Sequence, residues 1–180
     1  MKYVALLRGI NVGGNSLIKM ADLRKAVEGC GFTNVATYIA SGNVLFESDE
    51  LNLEKITYTL ENCLLNTFDL PVRVVVLSSP QYKKIMSDVP KDWEIREDIR
   101  KYMAFIKPPV SAKTIAPEVQ LKKGVDFLKV GDGVLYMTTL LSGLTKSGFN
   151  KMAGNKQLYK EMTIRNYNTA KKILSLLEQD

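Results

Sequence analysis

The chain has 180 residues, 46% of them hydrophobic and enough for a packed core, with 25 Lys+Arg against 19 Asp+Glu for a formal net charge of +6. It contains no histidine, which excludes His-based triads, His-ligated metals and the ordinary near-neutral proton shuttle, and its two cysteines are too few for a disulfide framework or a structural zinc site. No run approaches the roughly 18 apolar residues of a membrane span, and the N-terminal apolar run is broken by Arg8 without a small-residue cleavage site; the expectation is a cytosolic protein with Cys30 and Cys63 as reduced thiols.

KYVALLRG, residues 2 to 9, is nearly continuous in apolar residues and predicts a strand buried on both sheet faces. From residue 20 to 30 the pattern turns helical, with Leu23, Val27 and Cys30 at i, i+4 and i+7 and Gly31 where a C-terminal cap is expected. NVATYIA and NVLFES flank Ser41 and Gly42 and read as a hairpin. A second helix over about 52 to 67 carries Leu53, Ile56, Leu60, Cys63 and Leu64 on one face with Asn52 as its N-cap, and VRVVVLSS, 72 to 79, is a β-branched fourth strand.

The order β-α-β-β-α-β within the first 80 or so residues predicts a ferredoxin-like plait, with the first and third strands as antiparallel neighbours at the sheet centre. The end of the first strand and the start of the third then share one sheet edge. Strands one and four are apolar at both parities (Val4 and Leu6 against Ala5 and Leu7, Val74 and Val76 against Val75 and Leu77), so the second sheet face also needs a cover, expected from the remaining chain.

In that remainder, PQYKKIMSDV predicts a helix, the stretch around Trp93 is charged and fits neither period, and RKYMAFIK is a strand stopped by Pro108 and Pro109. DFLKV and VLYMTTL form a second hairpin around Gly131, Asp132 and Gly133. Residues 142 to 162 are polar, basic and glycine-punctuated, with a short helix inside them. The last helix has Ala170, Ile173, Leu174 and Leu177 as its apolar stripe and Asn166, Asn168 or Thr169 as its N-cap. There is no convincing internal repeat and no low-complexity linker. The expected organisation is α+β, with residues 1–80 a ferredoxin-like βαββαβ plait and 81–180 a second, smaller α+β subdomain packed against the first.

Three segments could carry chemistry. GINVGGNS, from Gly9, has P-loop glycine spacing but Asn15 where the phosphate-binding lysine is required, and it precedes an antiparallel setting, which argues against a nucleotide-hydrolysing loop. The dinucleotide fingerprint cannot be fitted to Gly9, Gly13 and Gly14. Two readings stay open there: an anion nest of backbone N–H groups around Gly13 and Gly14 with charge from Arg8 and Lys19, or a glycine-permitted bend. In YIASGNVLF, Ser41-Gly42 is ordinary turn composition, but the predicted topology sets Ser41 and Asn43 beside Arg8 and Asn11. TIRNYNT, 163 to 169, places Arg165, Asn166, Asn168 and Thr169 at a helix start, where an anion or plain capping would each be served.

YVALLRGINVGGNSLIKMADLRKAVEGCGFTNVATYIASGNVLFES resembles the opening of the bacterial family called domain of unknown function 1697, and TIRNYNT resembles its closing Arg-Asn-x-x-Thr signature. The resemblance implies a ferredoxin-like plait followed by a second α+β subdomain with a more irregular sheet, and brings no established activity, cofactor or catalytic residue. It marks Arg8, Gly9, Asn11, Gly13, Gly14, Ser41, Gly42, Asn43, Arg165, Asn166 and Thr169; Tyr167 stands where many relatives have Trp.

The leading functional expectation is a small phosphate- or carboxylate-bearing ligand bound at a polar site between the subdomains. Arg8 and Arg165 would hold the negative groups, and Asn11, Ser41, Asn43, Asn166 and Asn168 would orient the ligand. A single-stranded nucleic-acid binder is the alternative from another class, favoured by topology and positive charge but not by the third strand, GNVLFES, which lacks paired exposed aromatics. In a third reading the polar motifs are structural locks, recognisable by internal partners saturating Arg8 and Arg165. No cofactor, reaction or oligomeric state follows from the residues.

Overall fold

Lys2–Leu7 forms β1, in which every residue after Lys2 is buried. It is followed by helix α1 (Met20–Gly29), strands β2 (Thr33–Tyr38) and β3 (Asn43–Glu47), helix α2 (Leu53–Phe68) and strand β4 (Val74–Ser78). A computed structural model describes residues 1–11 and 17–179, so the expected nest at Gly13 and Gly14 lies outside the described residues. The four strands make an antiparallel sheet in the order β2-β3-β1-β4, with Ala5 opposite both Val44 and Val76.

Strand alternation explains how β1 can be apolar throughout. Tyr3, Ala5 and Leu7 join Val44, Phe46, Val74 and Val76 in a core closed by Leu23 and Val27 of α1 and Ile56, Leu60 and Leu64 of α2. The alternate residues Val4, Leu6, Leu45 and Val75 are buried as well. Leu176 and Leu177 line a cavity with Leu45 and Ala36, so the C-terminal segment reaches the second face of this sheet.

Both helices span the same sheet face, which brings their cysteines together. Cys30, at the end of α1, and Cys63, within α2, have Cα atoms 6.4 Å apart and are joined in a disulfide. This corrects the expectation of two reduced thiols. The sequence had already put each cysteine on the apolar stripe of its helix; only the pairing of the two stripes was missing.

After α3 (Ser79–Ser87) and a 3-10 turn at Lys91–Trp93 come β5 (Ile99–Ile106), the short α4 (Ala112–Ile115), β6 (Asp126–Val130) and β7 (Val134–Leu140). Further 3-10 turns and the short α5 (Lys156–Tyr159) lead to β8 (Met162–Asn166) and α6 (Tyr167–Leu177). The expectation of an irregular second sheet is not what the structure shows. This sheet is also four-stranded and antiparallel, ordered β6-β7-β5-β8, so strand for strand it repeats the order of the first. Register runs evenly along its pairs, whereas a shift between Thr33 and Ala36 lies in the first sheet.

The chain divides into two compact units, Met1–Lys83 with Ile173–Asp180, and Lys84–Lys172. The divisions fall inside α3 and α6, and the last residues count with the first unit rather than with residues 81–180. In the second unit, buried Asp126 anchors the edge strand β6. Its carboxylate accepts from Lys122 N, Thr139 Oγ1, Ser147 Oγ and Gly148 N at 2.6–2.9 Å.

Candidate functional site

At the edge of the first sheet, the end of β1 lies against the turn before β3. Leu7 N–H donates to Gly42 O at 2.8 Å, holding the end of β1 against the turn before β3. Asn11, in the left-handed region at φ 55°, donates from Nδ2 to Ile18 O and Ala40 O, both at 2.9 Å, and accepts Ile18 N–H at 2.7 Å. Asn43 is fully buried and donates to Tyr38 O at 2.9 Å and Ser41 Oγ at 3.3 Å. These amides are occupied by the main chain they fasten, which is the work of a turn lock. Gly42 completes it: φ is 79°, and a Cβ there would lie 2.8 Å from Leu7 Cβ and Ile10 Cδ1. Arg8 is half-buried, and its main-chain N–H donates to Arg73 O at 2.9 Å.

In the second unit TIRNYNT is not simply a helix start. Its first residues are β8, paired with β5 so that Tyr102 faces Asn166 and Met103 faces Arg165. Alternation along the strand therefore sends Arg165 and Asn166 to opposite sheet faces. Arg165 is buried beside Thr163, donating to Thr163 Oγ1 at 2.7 Å and to Ile164 O at 3.0 Å. Asn166 is exposed, and its Oδ1 accepts Asn168 N–H at 2.9 Å as α6 begins. The expected convergence of Arg165 with both asparagines does not occur; Thr169 is half-buried in the first turn of α6, away from the cavity described next.

Asn166 and Asn168 do share a cavity of about 370 Å³, walled by Arg96, Arg100, Lys101, Tyr102 and Tyr167 among others. Strand pairing creates it, because β5 begins where β8 ends. Its three cations differ in availability. Arg96 is committed to Asp98, with Nε–Oδ1 at 2.8 Å and a second contact at 2.6 Å, and lies 3.6 Å from Asp92; the bond to Asp98 raises its affinity for the proton further. Lys101 Nζ is held by the carbonyls of Trp93 and Arg96. Arg100 is exposed, donates to Tyr102 Oη at 3.4 Å, and has no carboxylate partner among the described residues.

Beside the cavity, Tyr167 Oη donates to Glu94, whose other oxygen takes Lys171 Nζ at 2.9 Å. Burial and then that bond push the Tyr167 hydroxyl well above its ordinary range, while the same bond and Lys171 hold the Glu94 carboxyl below its own. Both shifts run away from neutrality, so this pair orients rather than relays protons. Trp93, donating from Nε1 to Thr138 Oγ1 at 2.8 Å, packs edge-on against Tyr167 and Tyr136. Sequence reasoning missed Arg96, Arg100, Lys101 and Tyr102. Arg96 lay in the charged stretch after Trp93, which matched no periodicity, whereas Arg100, Lys101 and Tyr102 open RKYMAFIK, where they read as ordinary strand residues. Among the described residues no group of three or more His, Cys, Asp or Glu side chains gathers as a metal site.

Residues 1–136 match the family model described as Protein of unknown function (DUF1697). The chain belongs to this family. The DUF1697 protein is also similar over its length to a solved structure described as conserved bacterial protein SP0830 from Streptococcus pneumoniae, with 25% identity, 98% of each chain covered and a TM-score of 0.85. No curated protein matches. No helix among its described residues is long and apolar enough to cross a membrane.

Proposed function

We propose that this DUF1697 protein binds a small phosphate- or carboxylate-bearing ligand, and that the site is the cavity of the second unit, with Arg100 as its principal cation. The observation that carries this reading is an exposed arginine without a carboxylate partner among the described residues, at a cavity of about 370 Å³ shared with the amides of Asn166 and Asn168. A guanidinium can offer a carboxylate or phosphate two parallel N–H donors. The neighbouring asparagines supply donors and acceptors that orient what is bound. Arg165 supports the site from the other sheet face, fixing the end of β8 from which Asn166 projects.

A second reading applies to the opening motif. The hydrogen bonds of Asn11 and Asn43, with Gly42 in a left-handed turn, favour a structural lock there. We read the first unit, with its βαββαβ order, as a ferredoxin-like plait. Its β1 residues Val4 and Leu6 are buried, which weighs against a stacking platform for single-stranded nucleic acid on that face.

Thermal unfolding in matched ionic strength tests the proposal, with inorganic phosphate, citrate, a nucleoside monophosphate and a short oligonucleotide each set against chloride. A ligand that binds only the folded state raises the midpoint, by about 2.7 kcal/mol of stability at a hundredfold excess over Kd. The expected result is a rise with a small anion that Arg100→Ala removes. No rise with any small anion, or a rise confined to the oligonucleotide, would sink it.

A further inference from the structure

We infer that Cys30 and Cys63 form a thiol–disulfide exchange site, opened by a dithiol and closed by a disulfide oxidant, with Cys30 as the sulfur attacked. They are the only two cysteines in the chain, so exchange has no competing partner within it. Their surroundings differ. Cys63 sits within α2 and is 5% exposed. Cys30 is half-buried and lines a cavity of about 300 Å³ together with Gly31, Phe32, Ser48 and Lys55. Attack on a disulfide requires access to one sulfur, which the cavity offers at Cys30 and burial denies at Cys63.

The protein also accommodates the reduced state. Cys63 Sγ lies 3.2 Å from Ala26 O, so the thiol formed on reduction has a carbonyl to donate to without repacking. The helices do not depend on the bond, because Leu23 and Val27 of α1 and Ile56, Leu60 and Leu64 of α2 are each no more than 1% exposed against the sheet. Reduction therefore releases the last turn of α1 from α2 while the layer persists.

A thiolate of the dithiol forms a bond to Cys30 Sγ, the S–S bond breaks, and its electron pair leaves on Cys63 Sγ, which takes a proton from water. The second thiol of the reductant then attacks the mixed disulfide and frees Cys30. The protein gains two electrons and two protons, and the dithiol becomes a disulfide.

The test uses the full chain, folded, with dithiothreitol and then oxidised glutathione as probes, iodoacetamide as trap and peptide mass spectrometry as readout. The expected result is a Cys30–Cys63 cross-linked peptide before reduction and, after it, alkylation of Cys30 without denaturant and of Cys63 only once urea is added. Far-UV circular dichroism stays unchanged, and the cross-link returns with glutathione. In Cys63→Ser a glutathione adduct forms on Cys30, whereas Cys30→Ser leaves Cys63 unmodified. If either variant fails to fold, the wild-type reduction and reoxidation decide alone. A bond that yields to dithiothreitol only in urea, cysteines that never cross-link in the oxidising buffer, or an adduct on Cys63 in preference to Cys30 would each overturn the inference.

Discussion

Asp126 shows how one buried side chain can organise a sheet edge. Burial by itself would raise its pKa, but donors from Ser147, Lys122 N, Gly148 N and Thr139 outweigh that and hold the carboxyl below its ordinary value. A folded-state pKa that is depressed contributes stability above the unfolded value, and that stability is lost as the pH falls through the folded value. Asp126→Asn should therefore cost roughly 1.5–3 kcal/mol in urea unfolding near neutral pH, the range for a hydrogen bond to a charged group. The gap between variant and wild type should narrow in acid, below the ordinary carboxylate value of 3.8; a gap that is flat with pH would mean the charge is irrelevant. At Gly42 the effect is steric. Gly42→Ala meets both a left-handed φ of 79° and contacts of 2.8 Å, and should destabilise by about 1–3 kcal/mol while anion binding persists in the folded fraction. An alanine variant as stable as wild type would remove the structural reading of the ASGN turn.

At the scale of elements, helix α2 has a side-chain cap that could be read in advance. Asn52 accepts Glu54 N–H at 2.9 Å and Lys55 N–H at 3.2 Å. Asn52→Ala should cost about 1 kcal/mol while Asn52→Asp stays near neutral, measured by thermal unfolding, because only the alanine lacks an acceptor. That cap and the apolar stripes of both long helices are local patterns, and the pairing of β1 with β3 follows from the βαββαβ order, so all of these were legible in the sequence. β8 was not. MTIRN is short and half polar, and its neighbour β5 lies some sixty residues earlier in the chain, as Tyr102 opposite Asn166 shows. Without that pairing TIRNYNT reads as a helix start that groups Arg165 with Asn166, whereas strand alternation separates them. The disulfide was hidden for a related reason: its sequence separation of 33 residues is closed by the side-by-side helices and not by local pattern.

Over the whole molecule, polar residues that look alike in sequence divide between two tasks. Those of the opening motif fasten a strand end to a turn, and Asn166 and Asn168 of the closing motif stand at a cavity whose cations come from the charged stretch after Trp93 and the start of β5. Both sheets have the same strand order, yet the cationic cavity belongs to the second unit, where β5 carries Arg100. The net charge of +6 favours any anion weakly, so selectivity must come from this geometry rather than from charge alone. Binding of a small anion should accordingly weaken with added salt yet remain dependent on Arg100, as followed by calorimetry across a chloride series. A general attraction to positive surface would instead fade with salt equally in wild type and Arg100→Ala.

The location of the site can be read from backbone amide chemical shifts under titration with inorganic phosphate in wild type, Arg100→Ala and Arg8→Ala. Saturable shifts are expected at Arg100, Tyr102, Asn166 and Asn168 in wild type and in Arg8→Ala. In Arg100→Ala affinity should fall by about tenfold or more, since a charge-assisted hydrogen bond contributes about 1.5–3 kcal/mol and 1.4 kcal/mol is a factor of ten. Shifts clustered instead around Arg8, Ser41 and Asn43 and abolished by Arg8→Ala, or no saturable shifts at all, would contradict it.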